Sequence, residues 1–209
     1  MFNRSKIIKK GDAKVTELEE EFAKALQQFE LANTDLANHT KSFLLNSVEQ
    51  VEFKQHDGTV SKYMLVRIPF RSLGAFKKVG NKVIQALEAK FKWPVIIFAN
   101  RTIVSPNALH HASQKRPRSR TLTAVHRAIL DDIVVPSSIT GRTTRISVDG
   151  KKHDKIFLDP LDTEAMTPRL DAIAHAYNKL TTHHIAFDFS KPTSFQRKKI
   201  EQIKSKKSQ

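Results

Sequence analysis

Apolar residues recur along this chain with two periods, and the switches between them outline a fold. Leu18, Phe22, Ala25, Leu26 and Phe29 share one face of a helical repeat, which predicts a helix from about Thr16 to Leu31. Thr16 and Glu19 form the T-x-x-E pattern of a capping box at its start. Ser47–Lys54 then alternates, with Val48, Val51 and Phe53 apolar. His56-Asp57-Gly58-Thr59 carries an Asp-Gly turn pair, and Ser61–Phe70 supplies the returning strand of a hairpin. Phe76, Val79, Val83, Ile84, Leu87 and Phe91 predict a second helix over Leu73–Lys92. Pro94 breaks it, and Val95–Phe98 reads as a short, fully apolar strand.

The same order then repeats. Asn100–Ser113 reads as a loop, and Thr121–Val135 as a helix with Leu122, Val125, Ile129 and Ile133 inward. Arg142–Val148 and Lys155–Asp159 form a second hairpin around Asp149-Gly150. Pro168–Leu180 is a helix that turns Leu170, Ile173, Ala174, Tyr177 and Leu180 inward, and Ile185–Phe189 is the last strand. Helix, hairpin, helix, strand, stated twice, predicts an α+β fold of mixed or antiparallel sheets with packed helices. The repeat is one of topology, not of residues. It suggests two half-units, about 13–101 and 119–189, sharing one sheet or forming two small ones. A basic extension (1–12) precedes this domain (13–189), and a basic tail (190–209) follows it. The tail has only Phe195, Ile200 and Ile203 as large apolar residues. It is expected to be flexible or ordered by a partner, or else a short amphipathic helix that folds on RNA.

Composition narrows the function. The chain has 209 residues, 39% of them hydrophobic, which suffices for a real core. It has no cysteine, which excludes disulfides, thiol catalysis and cysteine-based zinc sites. No run of about 18 apolar residues is present, so no membrane-spanning helix is predicted. Met1–Lys10 is basic without a following apolar stretch, which argues against a secretory signal. The net charge is +15, a balance that asks for a polyanionic partner. It is concentrated in two places. Ala89–Leu130 holds eight Lys or Arg and no acid, and Lys191–Gln209 carries +6. Together these hold 14 of the 15 net charges, so the rest of the chain is close to neutral.

The sharpest chemistry lies in Gln114-Lys115-Arg116-Pro117-Arg118-Ser119-Arg120. Pro117 is expected to keep the chain extended, so that neighbouring cations splay toward different phosphates. The guanidinium fork matches phosphate oxygens two at a time. The next helix offers its free N–H groups and positive dipole end, with Ser119 or Thr121 as candidate caps. Asp131 and Asp132 sit near the far end of that helix, where its dipole disfavours them, and Arg127 is spaced to pair with Asp131.

Lys115 to His126, read as Lys-Arg-Pro-Arg-Ser-Arg-Thr-Leu-Thr-Ala-Val-His, resembles the signature segment of the eukaryotic small-subunit ribosomal protein seven family. The resemblance continues through Ala128-Ile129-Leu130, Asp132, Pro136-Ser137, Gly141, Arg145, Asp149-Gly150 and Leu158-Asp159. It returns at Tyr177, Lys179-Leu180-Thr181 and Phe187-Asp188-Phe189. It is looser in the first half, where Val95–Phe98 is followed by Arg101, and spans roughly Lys14 to Phe189.

The resemblance implies a structural protein of the small ribosomal subunit that binds small-subunit rRNA and supports its processing. It implies neighbouring ribosomal proteins as partners, no enzymatic activity, no cofactor, no membrane and no small-molecule substrate. It also implies a cytoplasmic, ribosomal location with nucleolar passage during assembly. By position, the RNA-contacting candidates are Lys115, Arg116, Arg118 and Arg120. Arg142 and Arg145 on the second hairpin, and Arg197, Lys198 and Lys199 in the tail, complete the set. The chain departs from the family pattern at Arg127, where an acid is usual, and at Ser138, where Glu is usual. The loop Thr102–Ser113 lacks the usual Lys and Arg, and the tail is an extension.

Other readings are weaker. His110-His111 and His183-His184 are adjacent pairs whose side chains diverge, so no metal site is expected. Asp131-Asp132 likewise diverge, and a metal-dependent nuclease, the alternative function, would need more acids nearby. Trp93 is expected to cover the core rather than stack on a base, and His126 to be packed or RNA-facing.

Overall fold

The computed structural model describes residues 6–9, 14–55, 58–106, 116–150 and 152–207. The chain divides into two compact units, Met1–Pro136 and Ser137–Gln209.

The first unit opens with α1 (Glu17–Ala32), started by the expected capping box: Thr16 Oγ1 accepts from the Glu19 N–H, and the Thr16 N–H donates to Glu19 Oε2 at 2.9 Å. A 3-10 turn (Thr34–Leu36) and the short α2 (Ala37–Thr40) come next, neither of which shows in the periodicity. Strands β1 (Ser47–Lys54) and β2 (Val60–Ile68) pair antiparallel, with Gly58 in the turn at φ 79, a conformation open to glycine. Helix α3 (Leu73–Phe91) then crosses over to β3 (Val95–Ala99), which lies parallel to β2. The sheet order is β1-β2-β3.

The predicted stripes build the core. Phe22, Ala25 and Leu26 of α1 and Phe76, Val79, Val83, Ile84 and Leu87 of α3 are buried against Val66, Ile68, Val95 and Ile97. Phe91 stacks on Phe22 with centroids 5.4 Å apart. Leu18, expected inward, is exposed, whereas its neighbour Glu19 is buried. Lys92 leaves α3 in the left-handed conformation, and Trp93 ends 40% exposed instead of covering the core. The other face of the sheet is buried as well, at Tyr63, Leu65, Ile96 and Phe98. Ahead of α1, Lys6 pairs with Glu30 at 2.6 Å and Lys9 with Glu19 at 2.6 Å, so these two cations of the basic extension serve the fold.

The free edge of β3 is closed by acids. The Val95 N–H donates to Glu88 Oε1 of α3 at 3.0 Å, and the Ala99 N–H donates to Asp132 Oδ2 at 3.1 Å. Asp132 belongs to α4 (Leu122–Ile133), which packs on β3, and it also forms an ion pair with Arg101. These bonds satisfy two backbone donors of an edge that could otherwise template another strand. On α4, Val125 and Ile133 are buried as expected, but Leu122, in the first turn, is 52% exposed.

The second unit repeats the first's hairpin, crossover helix and strand but not its leading helix, because α4, the counterpart of α1 in chain order, belongs to the first unit and packs on β3. Strands β4 (Ile139–Ile146) and β5 (Lys152–Leu158) are antiparallel, with an irregular register between Ile139 and Gly141. The crossover comprises α5 (Thr163–Met166), a 3-10 turn (Thr167–Arg169) and α6 (Leu170–Thr181), so the single helix predicted from Pro168 is broken at its start. Strand β6 (Ile185–Phe189) returns parallel to β5. The two sheets are therefore separate and three-stranded. Ile156 and Leu158 pair with Phe187 and Phe189, and Ala172, Ile173, Ala176 and Tyr177 form the buried side of α6. The tail is helical: α7 (Ser194–Lys207) begins with a second capping pair, in which the Thr193 N–H donates to Gln196 Oε1 at 2.9 Å.

Two features of this packing can be measured. Asp132→Ala leaves the Arg101 guanidinium buried without its counter-charge and should cost about 3 kcal/mol, read as a lowered urea midpoint. Burial alone would raise the Glu19 carboxyl pKa, but the Lys9 ammonium and the Thr16 N–H outweigh it and hold the group below its ordinary 4.5. A carboxyl lowered by folding stabilises the protein above its unfolded pKa, and that contribution is lost as pH falls through the folded value. Stability below about pH 4.5 should therefore fall less steeply in Glu19→Gln than in the wild type, measured by circular dichroism against pH.

Candidate nucleic-acid interface

The cation-rich segment is held at three points. Pro117 is extended, but the residues after it are not: Arg118–Arg120 forms a 3-10 turn, closed by the Arg120 N–H donating to Pro117 O at 3.0 Å. Arg118 O accepts twice from Thr121, from its N–H at 3.2 Å and its hydroxyl at 2.7 Å. The turn is then tied to the strand exit, where the Val104 N–H donates to Arg120 O at 3.0 Å and Arg116 Nη1 donates to Val104 O at 2.8 Å. Arg116 is half-buried and acts as the clasp of this loop base. Arg118 and Arg120 are exposed on the turn.

The turn feeds directly into α4. Thr121 occupies its N-cap position but makes no side-chain cap bond, because its hydroxyl is committed to Arg118 O. The first amides of the helix thus follow directly on a turn that carries two exposed arginines, a combination suited to an anion. The opposite end of α4 is fixed by Asp132, whose carboxylate holds Arg101 and the Ala99 N–H. Arg101 lies over the Phe70 ring at 5.8 Å. The acid that the helix dipole disfavours is thereby compensated by a cation and a backbone donor. Asp131 and Arg127 are exposed, and His126 is half-buried.

The remaining candidates lie in the second unit. Cross-strand pairing places Arg142 opposite Ile156 and Arg145 opposite His153, so the two arginines occupy opposite faces of the β4–β5 hairpin. The face of Arg142 is also that of Tyr177, whose hydroxyl pKa is raised by burial, against the lowering effects of a hydrogen bond with Thr181 and of the Arg142 charge. Arg197, Lys198 and Lys199 are exposed on α7, and as consecutive helical residues they point in three directions. Gln196 of that helix also reaches Asp159 Oδ1 at 3.5 Å. Lys115, His110 and His111 lie outside the described residues. Among the described residues, no group of three or more His, Asp or Glu gathers to hold a metal ion, and no helix is long and apolar enough to cross a membrane.

Sequence reasoning missed two devices. The Arg101–Asp132 pair joins residues 31 positions apart, and its one local signal is an acid at the wrong end of a helix. The Thr193–Gln196 box is legible as T-x-x-Q, but the cations after it point toward disorder.

If Arg116 is a clasp, Arg116→Met should leave Val104 O without its donor. The Val104 amide should then exchange faster with solvent, and stability should fall by about 1 kcal/mol, while β1 and β2 keep their protection.

Comparison with known proteins matches residues 6–189 to the family model described as Ribosomal protein S7e. The chain is similar to small ribosomal subunit protein eS7z of Arabidopsis thaliana, 38% identical over 185 residues, covering 88% of this chain and 94% of that protein. It is 36% identical to small ribosomal subunit protein eS7 of Schizosaccharomyces pombe, covering 88% and 94%. With the eS7 of Dictyostelium discoideum it shares 35% identity over 93% of this chain and 99% of that protein.

Proposed function

The chain belongs to the ribosomal protein S7e family, and on that premise we propose that its arginine turn binds small-subunit rRNA. Members of this family are structural constituents of the small ribosomal subunit, not enzymes, and this chain is one of them. Its place is the cytoplasmic ribosome, among rRNA and neighbouring small-subunit proteins. Nucleolar passage and a part in rRNA processing during assembly belong to the same reading.

One observation carries the RNA-binding proposal: Arg118 and Arg120 stand exposed on a turn that backbone bonds pin to Val104 and α4. An arginine whose backbone is already pinned has less freedom left to lose when its guanidinium meets a phosphate. Lys115 adjoins the turn in sequence. Arg116 supports the segment rather than reaching outward, which shifts the phosphate contacts to its neighbours. Arg142 and Arg145 on β4, and Arg197, Lys198 and Lys199 on α7, are the secondary contacts. The family model ends at residue 189, so α7 adds cations beyond the matched region. In this reading residues 13–189 form the ribosomal domain, 1–12 its basic extension and 190–209 its basic tail.

Replacing Arg118 and Arg120 by Gln should flatten the log–log salt dependence of rRNA binding by roughly 0.7 to 0.9 per lost contact. The same variant should be depleted from small-subunit fractions on a sucrose gradient. An unchanged slope removes this turn from the interface.

A further inference from the structure

The outer part of the β4–β5 hairpin is exposed. Every residue from Arg142 to Gly150 is exposed, as are Lys152 and His153. At the tip, Ile146 is 66% exposed and Val148 is fully exposed. A two-stranded ribbon with solvent on both sides has little to hold it in water, and apolar groups at its end add a further cost. The near end is well fastened, through Ile156 and Leu158 in the core and through Thr144 Oγ1 to Asp154 Oδ1 at 2.6 Å. The far end has the composition of a binding element.

Charge identifies the occupant. Arg142–Lys155 holds five Lys or Arg against two Asp, a net of +3. Lys152 stands directly opposite Ile146, and Arg145 is adjacent to Ile146 in sequence, on the other face. A protein pocket that buried Ile146 would have to strip water from Lys152, and the cores of protein interfaces are poor in lysine. RNA offers both requirements together, with apolar base and ribose surface bordered by phosphates. Apolar side chains wedged at a base step, with cations on the flanking backbone, are a known way for proteins to grip nucleic acid.

We infer that the β4–β5 hairpin is an RNA-inserting arm, in which Ile146 and Val148 pack on bases or ribose while Arg145 and Lys152 take the flanking phosphates. The inference rests on the RNA-binding reading above and extends it to two apolar residues that carry no charge signal. It separates two kinds of contribution. Cations contribute through counterion release and so depend on salt. Apolar contacts do not.

The test uses the full chain and deproteinised small-subunit rRNA, with affinity measured by filter binding across a salt series. Ile146→Ser with Val148→Ser should weaken binding roughly tenfold at every salt concentration and leave the slope unchanged. Arg145→Gln with Lys152→Gln should instead flatten the slope by roughly 1.4 to 1.8. Both pairs are exposed, so circular dichroism should show the wild-type fold. Wild-type affinity in the Ile146→Ser, Val148→Ser variant would overturn the arm while leaving the arginine turn standing. A wild-type chain that did not bind the rRNA would overturn both readings. A photo-crosslinking residue at Val148, in small subunits assembled with the full chain, should attach to rRNA. Attachment only to a neighbouring protein would overturn the inference.

Discussion

The buried carboxylate of Asp132 is the fastening on which the first unit's proposed RNA-binding turn depends. It reaches from the last turn of α4 to the open edge of β3, where it accepts the Ala99 N–H and pairs with Arg101. Without it, β3 would expose an unpaired donor, Arg101 would be buried without a counter-charge, and α4 would rest on the sheet by apolar contact alone. With it, the helix has a fixed place, and so does the turn that precedes it. Arg118 and Arg120 are positioned from behind, by a group that touches no ligand. The clasp of Arg116 on Val104 completes the frame from the other side.

This arrangement divides the basic residues into two classes that composition cannot separate. Lys6, Lys9, Arg101 and Arg116 are bound into the protein, to Glu30, Glu19, Asp132 and Val104 O respectively. Arg118, Arg120, Arg145, Lys152 and the cations early in α7 are exposed. The net charge of +15 measures the demand for a polyanion, but burial and partners decide which cations can answer it.

Much of the fold is legible in the sequence because its determinants are local. The Thr16–Glu19 cap, the stripes of α1 and α3, the Asp-Gly turns and the wholly apolar β3 each announce themselves within a few residues. The repeated order of helix, hairpin, helix and strand emerges from them. Periodicity fails in the first turns of helices: Leu18 and Leu122 obey the helical spacing but are exposed there. It also cannot tell one shared sheet from two, since strand order is set by pairing between distant segments. For the binding surface, the sequence locates the arginines but misjudges their geometry. Pro117 suggests an extended segment, whereas the backbone closes a 3-10 turn behind it, and Arg116 reads as a phosphate clamp although its guanidinium faces a carbonyl. Both depend on Val104, twelve or more residues away, which no local pattern reports.

In the proposed interface, a turn held by α4 and Asp132 delivers Arg118 and Arg120 to rRNA phosphates. A cryo-electron microscopy map of the small subunit containing this chain tests it most directly. Both guanidiniums should lie within about 3 Å of phosphate oxygens, with Asp132 still bound to Arg101 and Ala99. A map in which that fastening is intact, yet Arg118 and Arg120 face solvent or a neighbouring protein, would contradict it.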